Sequence, residues 1–199
     1  MMRRRARGDA GQAFPIYITV VGGLLFLAFA YLAVGQAAAN KNGAATAADA
    51  AALAAAQDRR DQLADLWVTD VLDPTKWQDI FDGNAEGLDP SCGRADQLAA
   101  QNDAVVLACA PDGPLAYTVE VRTNKTVGES VIPGTVDKQS TASATAEIES
   151  LCTFEPPAED AADDVLPRLA CKDRNWDLDP EDLGVLPEPE DLFDVHLAD

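Results

Sequence analysis

Histidine is almost missing from this chain: among its 199 residues only His196, close to the C-terminus, carries an imidazole. A Ser-His-Asp or Cys-His arrangement would have to be assembled from that terminal stretch, so nucleophilic catalysis of these kinds has little to work with. Basic charge is scarce as well. With 15 Lys+Arg against 34 Asp+Glu, a net charge of -19, the chain lacks the clustered cations that displace counterions from phosphates, which excludes nucleic acid as a partner. No Cys-x2-Cys pair occurs, and the lone histidine is remote from the four cysteines, which argues against a zinc site built on cysteine. A glycine-rich phosphate loop and a nucleophile elbow are likewise missing, and no nucleophile, base and orienting group can be named together. The sequence predicts a protein that is not an enzyme and needs no cofactor. Its length leaves room for one folded unit.

The scarce basic charge is unevenly spread. Arg3, Arg4, Arg5 and Arg7 fall in the first seven positions, and an uncharged apolar run from Ala13 to Val34 follows. At about 1.5 Å per residue such a run spans the roughly 30 Å hydrocarbon core of a bilayer. Twelve of its 22 residues are Leu, Ile, Val or Phe. At about -0.3 to -0.6 kcal/mol each they favour insertion by roughly 4 to 7 kcal/mol, before Thr19, Gly22, Gly23 and Pro15 count against them. Pro15 falls in the first turn, where a missing N–H costs little. Lys and Arg stay on the cytoplasmic side, so the four arginines set the direction: N-terminus inside, C-terminus outside, one pass through the cell membrane. A cleaved signal peptide is the rival reading, since Ala33-Val34-Gly35 and Ala37-Ala38-Ala39 resemble cleavage sites. The apolar region of such a peptide runs roughly 7 to 15 residues, shorter than this one. A twin-arginine signal at Arg3-Arg4 would precede a less apolar segment.

Beyond the apolar run, residues 36–72 contain no proline and are dominated by alanine, the best helix former. The helix is expected to continue outward as a stem. Leu53, Ala56, Arg60, Leu63, Leu66 and Trp67 then form a stripe at helical spacing. Gly35, Ala39, Gly43 and Ala47, continued by Ala51 and Ala55, make a ladder of small residues four apart that would admit a second helix at close range. Asp73-Pro74 ends the helix. Residues 94–101 read as a short helix and residues 104–110 as a buried strand. Tyr117, Val119 and Val121 alternate with Thr118, Glu120 and Arg122, and Ala142, Ala144, Ala146 and Ile148 with Ser143, Thr145, Glu147 and Glu149, predicting two half-buried strands. Residues 124–140 between them read as a bent extension or an exposed loop. Trp67, Trp77 and Tyr117 read as core residues. The resulting fold class is α+β: a transmembrane helix running into a long Ala-rich helix packed on a small antiparallel sheet.

Four cysteines on the outer side of a membrane point to two disulfides. Three connectivities are open to Cys92, Cys109, Cys152 and Cys171. The preferred one joins Cys92 to Cys109 and Cys152 to Cys171, closing two short loops. From residue 153 the composition turns to proline and acid, with 15 Asp+Glu against 3 Lys+Arg, and the segment reads as an acidic irregular tail. Trp176, Leu178, Leu183, Val185, Leu186, Leu192 and Phe193 punctuate it and offer anchors to the head or to a partner. Asp177, Asp179, Glu181 and Glu188 occupy positions 1, 3, 5 and 12 of an EF-hand-like loop, but Asp182 replaces the glycine at position 6 and Pro180 stiffens position 4. A solvated acidic segment is the plainer reading. The expected organisation is a cytoplasmic basic segment 1–12, a membrane helix 13–35, an extracytoplasmic head 36–152 and a tail 153–199.

The order of an arginine-rich start, Arg7-Gly8-Asp9-Ala10-Gly11-Gln12-Ala13, an apolar helix, and then Ala47-Ala48-Asp49-Ala50-Ala51-Ala52-Leu53-Ala54-Ala55 resembles the N-terminal region of TadE/TadG-like pilus-assembly proteins. Cys92, Ala95, Ala99, Asn102-Asp103-Ala104, Cys109, Gly113 and the Val119-x-Val121 strand also look like the small heads of actinobacterial members. The resemblance covers residues 3–150. It implies a membrane-anchored, pilin-like component of a tight-adherence (Flp) pilus or related secretion apparatus, without enzymatic activity, whose partners are the bilayer and other pilus-assembly membrane proteins. Two family features are not matched. The fifth residue after Gly8 is Ala13 and after Gly11 is Ile16, where a processing site of the TadE type would have Glu. The Asp-x-Ser-x-Ser metal motif of large TadG-type members is missing too. The other class the residues allow is an anchored extracytoplasmic binding module whose acidic tail recruits cations or a basic partner.

Overall fold

The computed structural model describes residues 13–126, 137–156 and 166–198. Arg3, Arg4, Arg5 and Arg7 lie outside the described residues. The first element, α1 (Ala13–Thr69), is one helix of 57 residues, about 85 Å long at 1.5 Å per residue. It starts beside Pro15, and the Thr19 hydroxyl donates to the Pro15 carbonyl at 2.8 Å, so the one aliphatic hydroxyl in its apolar run is satisfied within the helix. It stops where Pro74 forbids a further turn, after Asp70 N–H closes on the Leu66 carbonyl at 2.9 Å.

The chain then doubles back along α1. Two short helices, α2 (Trp77–Phe81) and α3 (Cys92–Gln101), lead into β1 (Ala104–Pro111), β2 (Ala116–Thr126) and β3 (Gln139–Ser150). After β4 (Cys152–Thr153), β5 (Leu169–Cys171), β6 (Asn175–Trp176) and α4 (Pro189–Leu192), the chain ends in β7 (Phe193–Leu197). The main sheet is antiparallel throughout, in the order β1-β2-β3-β7; β4, β5 and β6 form a second, smaller sheet. In the turn-rich stretch after α2, Gly83 takes a positive φ of +72°, and a Cβ there would come within 2.7 Å of Leu115 and 2.9 Å of the Pro114 carbonyl. Only glycine lets this stretch pass the β1–β2 turn so closely.

Alanine decides how α1 meets the sheet. Ala47, Ala48, Ala51, Ala52, Ala55 and Ala56 are fully buried, and β3 answers with Ala142, Ala144 and Ala146, so small side chains on both sides draw helix and sheet together. Towards the far end the residues grow. Trp67, Trp77, Phe81, Phe154 and Phe193 form a chain of aromatic contacts with centroids 5.2 to 6.0 Å apart, packed edge-on or tilted. This cluster joins α1, α2, the segment after β4, and β7.

Two expectations are corrected here. The predicted buried strand at 104–110 is an edge strand: β1 pairs only with β2, and Val105 and Leu107 are 39% and 44% exposed. A pairing irregularity between Val106 and Ala108 breaks its inward alternation. The acidic irregular tail is the larger correction, because its described parts, 153–156 and 166–198, are built into the head. β7 extends the main sheet, pairing Phe193 with Ser150 and Leu197 with Ala146. Leu169, Leu192 and Phe193 are fully buried and Trp176 nearly so, with the Arg174 guanidinium 3.5 Å above the Trp176 ring. A handful of large apolar anchors outweighs an acidic composition whose charges point to solvent. The head therefore runs to Leu197 and does not stop at residue 152. Leu178, Leu183 and Leu186 are half-buried against the core, whereas Val185 is 71% exposed.

Candidate functional site

The surface that calls for an explanation is the first half of α1. From Phe14 to Val34 nearly every side chain points to solvent, including Phe14, Phe26 and Tyr31 at 70 to 80% exposure. Among the described residues, no other part of the chain packs against this run. Exposed leucine or phenylalanine is ordinary when isolated, but an uninterrupted apolar cylinder costs far too much in water to be left bare. Tyr17 and Tyr31 stand near its two ends, the level at which aromatic rings with a polar tip favour a membrane–water interface.

The environment of α1 changes abruptly at Ala44. Before it, residues 35–43 are exposed or half-exposed; from Ala44 to Thr69 most of the helix is covered by β2, β3, α3 and β7, leaving a polar strip at Gln57, Asp61 and Asp65 open to solvent. Gly35, Ala39 and Gly43 are exposed, and a Cβ built on Gly35 or Gly43 would meet nothing. Ala47 differs, since it is fully buried by the chain's own sheet together with Ala51 and Ala55. Residues four apart advance about 40° around a helix of 3.6 residues per turn, so the ladder winds from the open face into the head. What was expected as one helix-packing stripe is split. Gly35, Ala39 and Gly43 remain open, and Ala47 is used internally.

The head is clamped at both ends of its fold. Cys92, at the start of α3, is bonded to Cys109 in β1 with Cα atoms 5.9 Å apart, and Cys152 in β4 to Cys171 in β5, directly opposite in the ladder. No cysteine is free. Replacing Cys92 and Cys109 together by alanine is expected to remove about 3 kcal/mol, the entropy of an 18-residue loop. Denaturant unfolding of the detergent-solubilised chain, followed by the fluorescence of buried Trp67 and Trp77, measures it. Near the middle of the helix Arg59 donates to the Tyr117 hydroxyl at 2.5 Å and lies over its ring, tying α1 to β2.

The acidic candidates do not converge. Asp177 pairs with Arg168 at 3.0 Å, the Asp179 carboxylate accepts the Glu181 N–H at 2.9 Å, and the Glu188 N–H donates to Asp191 at 2.9 Å as α4 begins. The EF-hand-like spacing is spent on local turns. A different trio, Glu149, Asp194 and His196, brings ligand atoms within 4.8 Å of one another, with His196 Nδ1 3.3 Å from Asp194. All three are exposed, and only the pairing of β3 with β7 brings them together, which no local pattern announces. At the far end of the head a recess of about 390 Å³ is lined by Leu66, Asp70, Lys76, Asp79, Ile80 and Glu86. The Asp70 carboxylate accepts from Lys76 at 2.6 Å and raises its pKa, while the Thr75 hydroxyl lowers that of Asp73. These contacts pin the α1–α2 turn.

Together the features define a class: one helix long and apolar enough at its N-terminal end to cross a membrane, carrying a disulfide-bonded α+β head on its other half. Residues 11–58 match the family model described as putative Flp pilus-assembly TadE/G-like. The match starts just ahead of the apolar run and ends at residue 58, about four helical turns past Ala44, so it spans the change there. No curated protein and no solved structure matches the chain.

Proposed function

We propose that this chain is a single-pass membrane protein, N-terminus cytoplasmic and head extracytoplasmic, that acts as a pilin-like structural or assembly component of a tight-adherence (Flp) pilus or a related secretion apparatus. The observation that carries the reading is the change along α1 at Ala44: a bare apolar and small-residue rod on one side, a helix already enclosed by its own head on the other. The TadE/G-like match across that change supports it. In this reading α1 meets lipid and other pilus-assembly helices through residues 13–43, with Gly35, Ala39 and Gly43 allowing close approach. The head holds its half of the helix rigid and projects outward. Arg3, Arg4, Arg5 and Arg7 keep the N-terminus inside.

Photocrosslinkers placed singly at Ala39 and Gly43 should trap discrete membrane-protein partners in cells, whereas one at Asp65, equally exposed but on the half of α1 that carries the head and far from the membrane, should not. Diffuse or absent products from Ala39 and Gly43 would count against an assembly role.

A further inference from the structure

We propose that the membrane-facing end of the head rests on anionic phospholipid headgroups through Lys41, Lys125 and Lys138. The inference builds on the anchored reading above and adds a contact that orients the head.

Three observations bring the lysines to one level. Strand β2 runs back along α1 towards its apolar half: Tyr117 sits beside Arg59, and eight residues later the Lys125 carbonyl accepts from the Asn40 side chain at 3.0 Å. Thr123 adds a second bond to Asn40 at 3.2 Å. Strand β3 leaves from the same end, since Gln139 pairs with Thr126 and its side chain donates to the Asn124 carbonyl at 3.2 Å. Lys138 precedes it. All three lysines are exposed.

That level is set by the helix. Lys41 lies seven residues beyond Val34, about 10 Å along the axis. The headgroup layer on each side of the hydrocarbon is about 5 to 7 Å thick. Lysines held just above it reach phosphates by extending their apolar stems downward.

The charge pattern selects the occupant. The first twelve residues hold four arginines and one aspartate, leaving 11 basic and 33 acidic residues for everything beyond. Such a head is repelled by an anionic surface almost everywhere. Among the described residues at this end, three lysines face two carboxylates, Asp103 and Asp137, so the described charges here carry no surplus of acid. Asp103 pairs with Lys125 at 2.5 Å, with both side chains mostly exposed. A surface pair of that kind contributes little and yields readily to a phosphate.

The test uses the full chain at one copy per nanodisc, in phosphatidylcholine alone or mixed with phosphatidylglycerol. A brief pulse of a water-soluble acetylating reagent is read lysine by lysine by mass spectrometry. Lys41, Lys125 and Lys138 should react about fivefold more slowly in the anionic discs, and added salt should restore the rate. Lys76 and Lys172, elsewhere on the head, should react alike in both. Equal rates for the three lysines in the two lipids would overturn the proposal, as would protection that is just as strong in pure phosphatidylcholine, which marks steric shielding. A chain that fails to enter discs of either kind would overturn the anchoring itself, a different outcome from uniform rates in loaded discs.

Discussion

Replacing Phe193 by alanine is expected to cost the head about 3 to 5 kcal/mol, a large share of the roughly 5 to 15 kcal/mol that holds a domain folded. Phe193 is fully buried, and its ring lies 5.6 Å from Phe81 within the aromatic chain that reaches Trp67. Truncation leaves a cavity between β7, α2 and the helix, and the neighbouring rings cannot collapse into it without breaking their own contacts. Val185, in the same acidic segment but 71% exposed, serves as the control. Val185→Ala should change stability by less than about 0.5 kcal/mol. The two variants separate a segment that completes the head from one that merely trails behind it. If both unfold at the same denaturant concentration as the unaltered chain, β7 does not hold the head together.

A second large effect is expected in the apolar run. Leu24 and Leu25 lie near its centre, and changing both to arginine costs about 3 kcal/mol each at the middle of a bilayer, on top of the lost leucine contribution. The total of roughly 6 to 8 kcal/mol matches or exceeds the 4 to 7 kcal/mol by which the run favours insertion. The variant should leave the membrane fraction on alkaline extraction, while its head, which begins at Ala44 and does not touch these residues, should keep its fold. A double arginine variant that stays membrane-bound would mean that something other than this run anchors the chain.

The elements that the amino-acid pattern announces are those whose burial is one-sided. Tyr117, Val119 and Val121 face α1 while Glu120 and Arg122 face water, so β2 shows its period of two, and β3 does the same with Ala146 and Ile148. The long helix is legible for a different reason, because alanine without proline leaves the backbone little alternative. Alanine also conceals: with so many in one stretch, no periodicity marks which face the sheet will cover, and the division of the small-residue ladder between Gly43 and Ala47 appears only in three dimensions. The run Val105 to Ala108 looks buried because all its residues are apolar, yet its strand has a neighbour on one side only. β7 is the least legible. Its sequence, Phe-Asp-Val-His-Leu, carries one fully buried side chain, and its partner strand lies more than 40 residues earlier, so the pairing leaves no local trace. The trio of Glu149, Asp194 and His196 was hidden with it. The disulfide pairing, one of three that the spacing allows, depends on which strands stand opposite each other, as Cys152 and Cys171 do.

One measurement bears on the whole account: protease added from outside to intact cells stripped of their outer layers, followed by the mass of what the membrane protects. The account predicts a shielded fragment that retains the N-terminal arginines and the apolar helix and ends within the open stretch 35–43, with the head released as a disulfide-bonded piece. A mature chain recovered in free solution and beginning after Gly35, or a head left untouched until the cells are broken open, would contradict it.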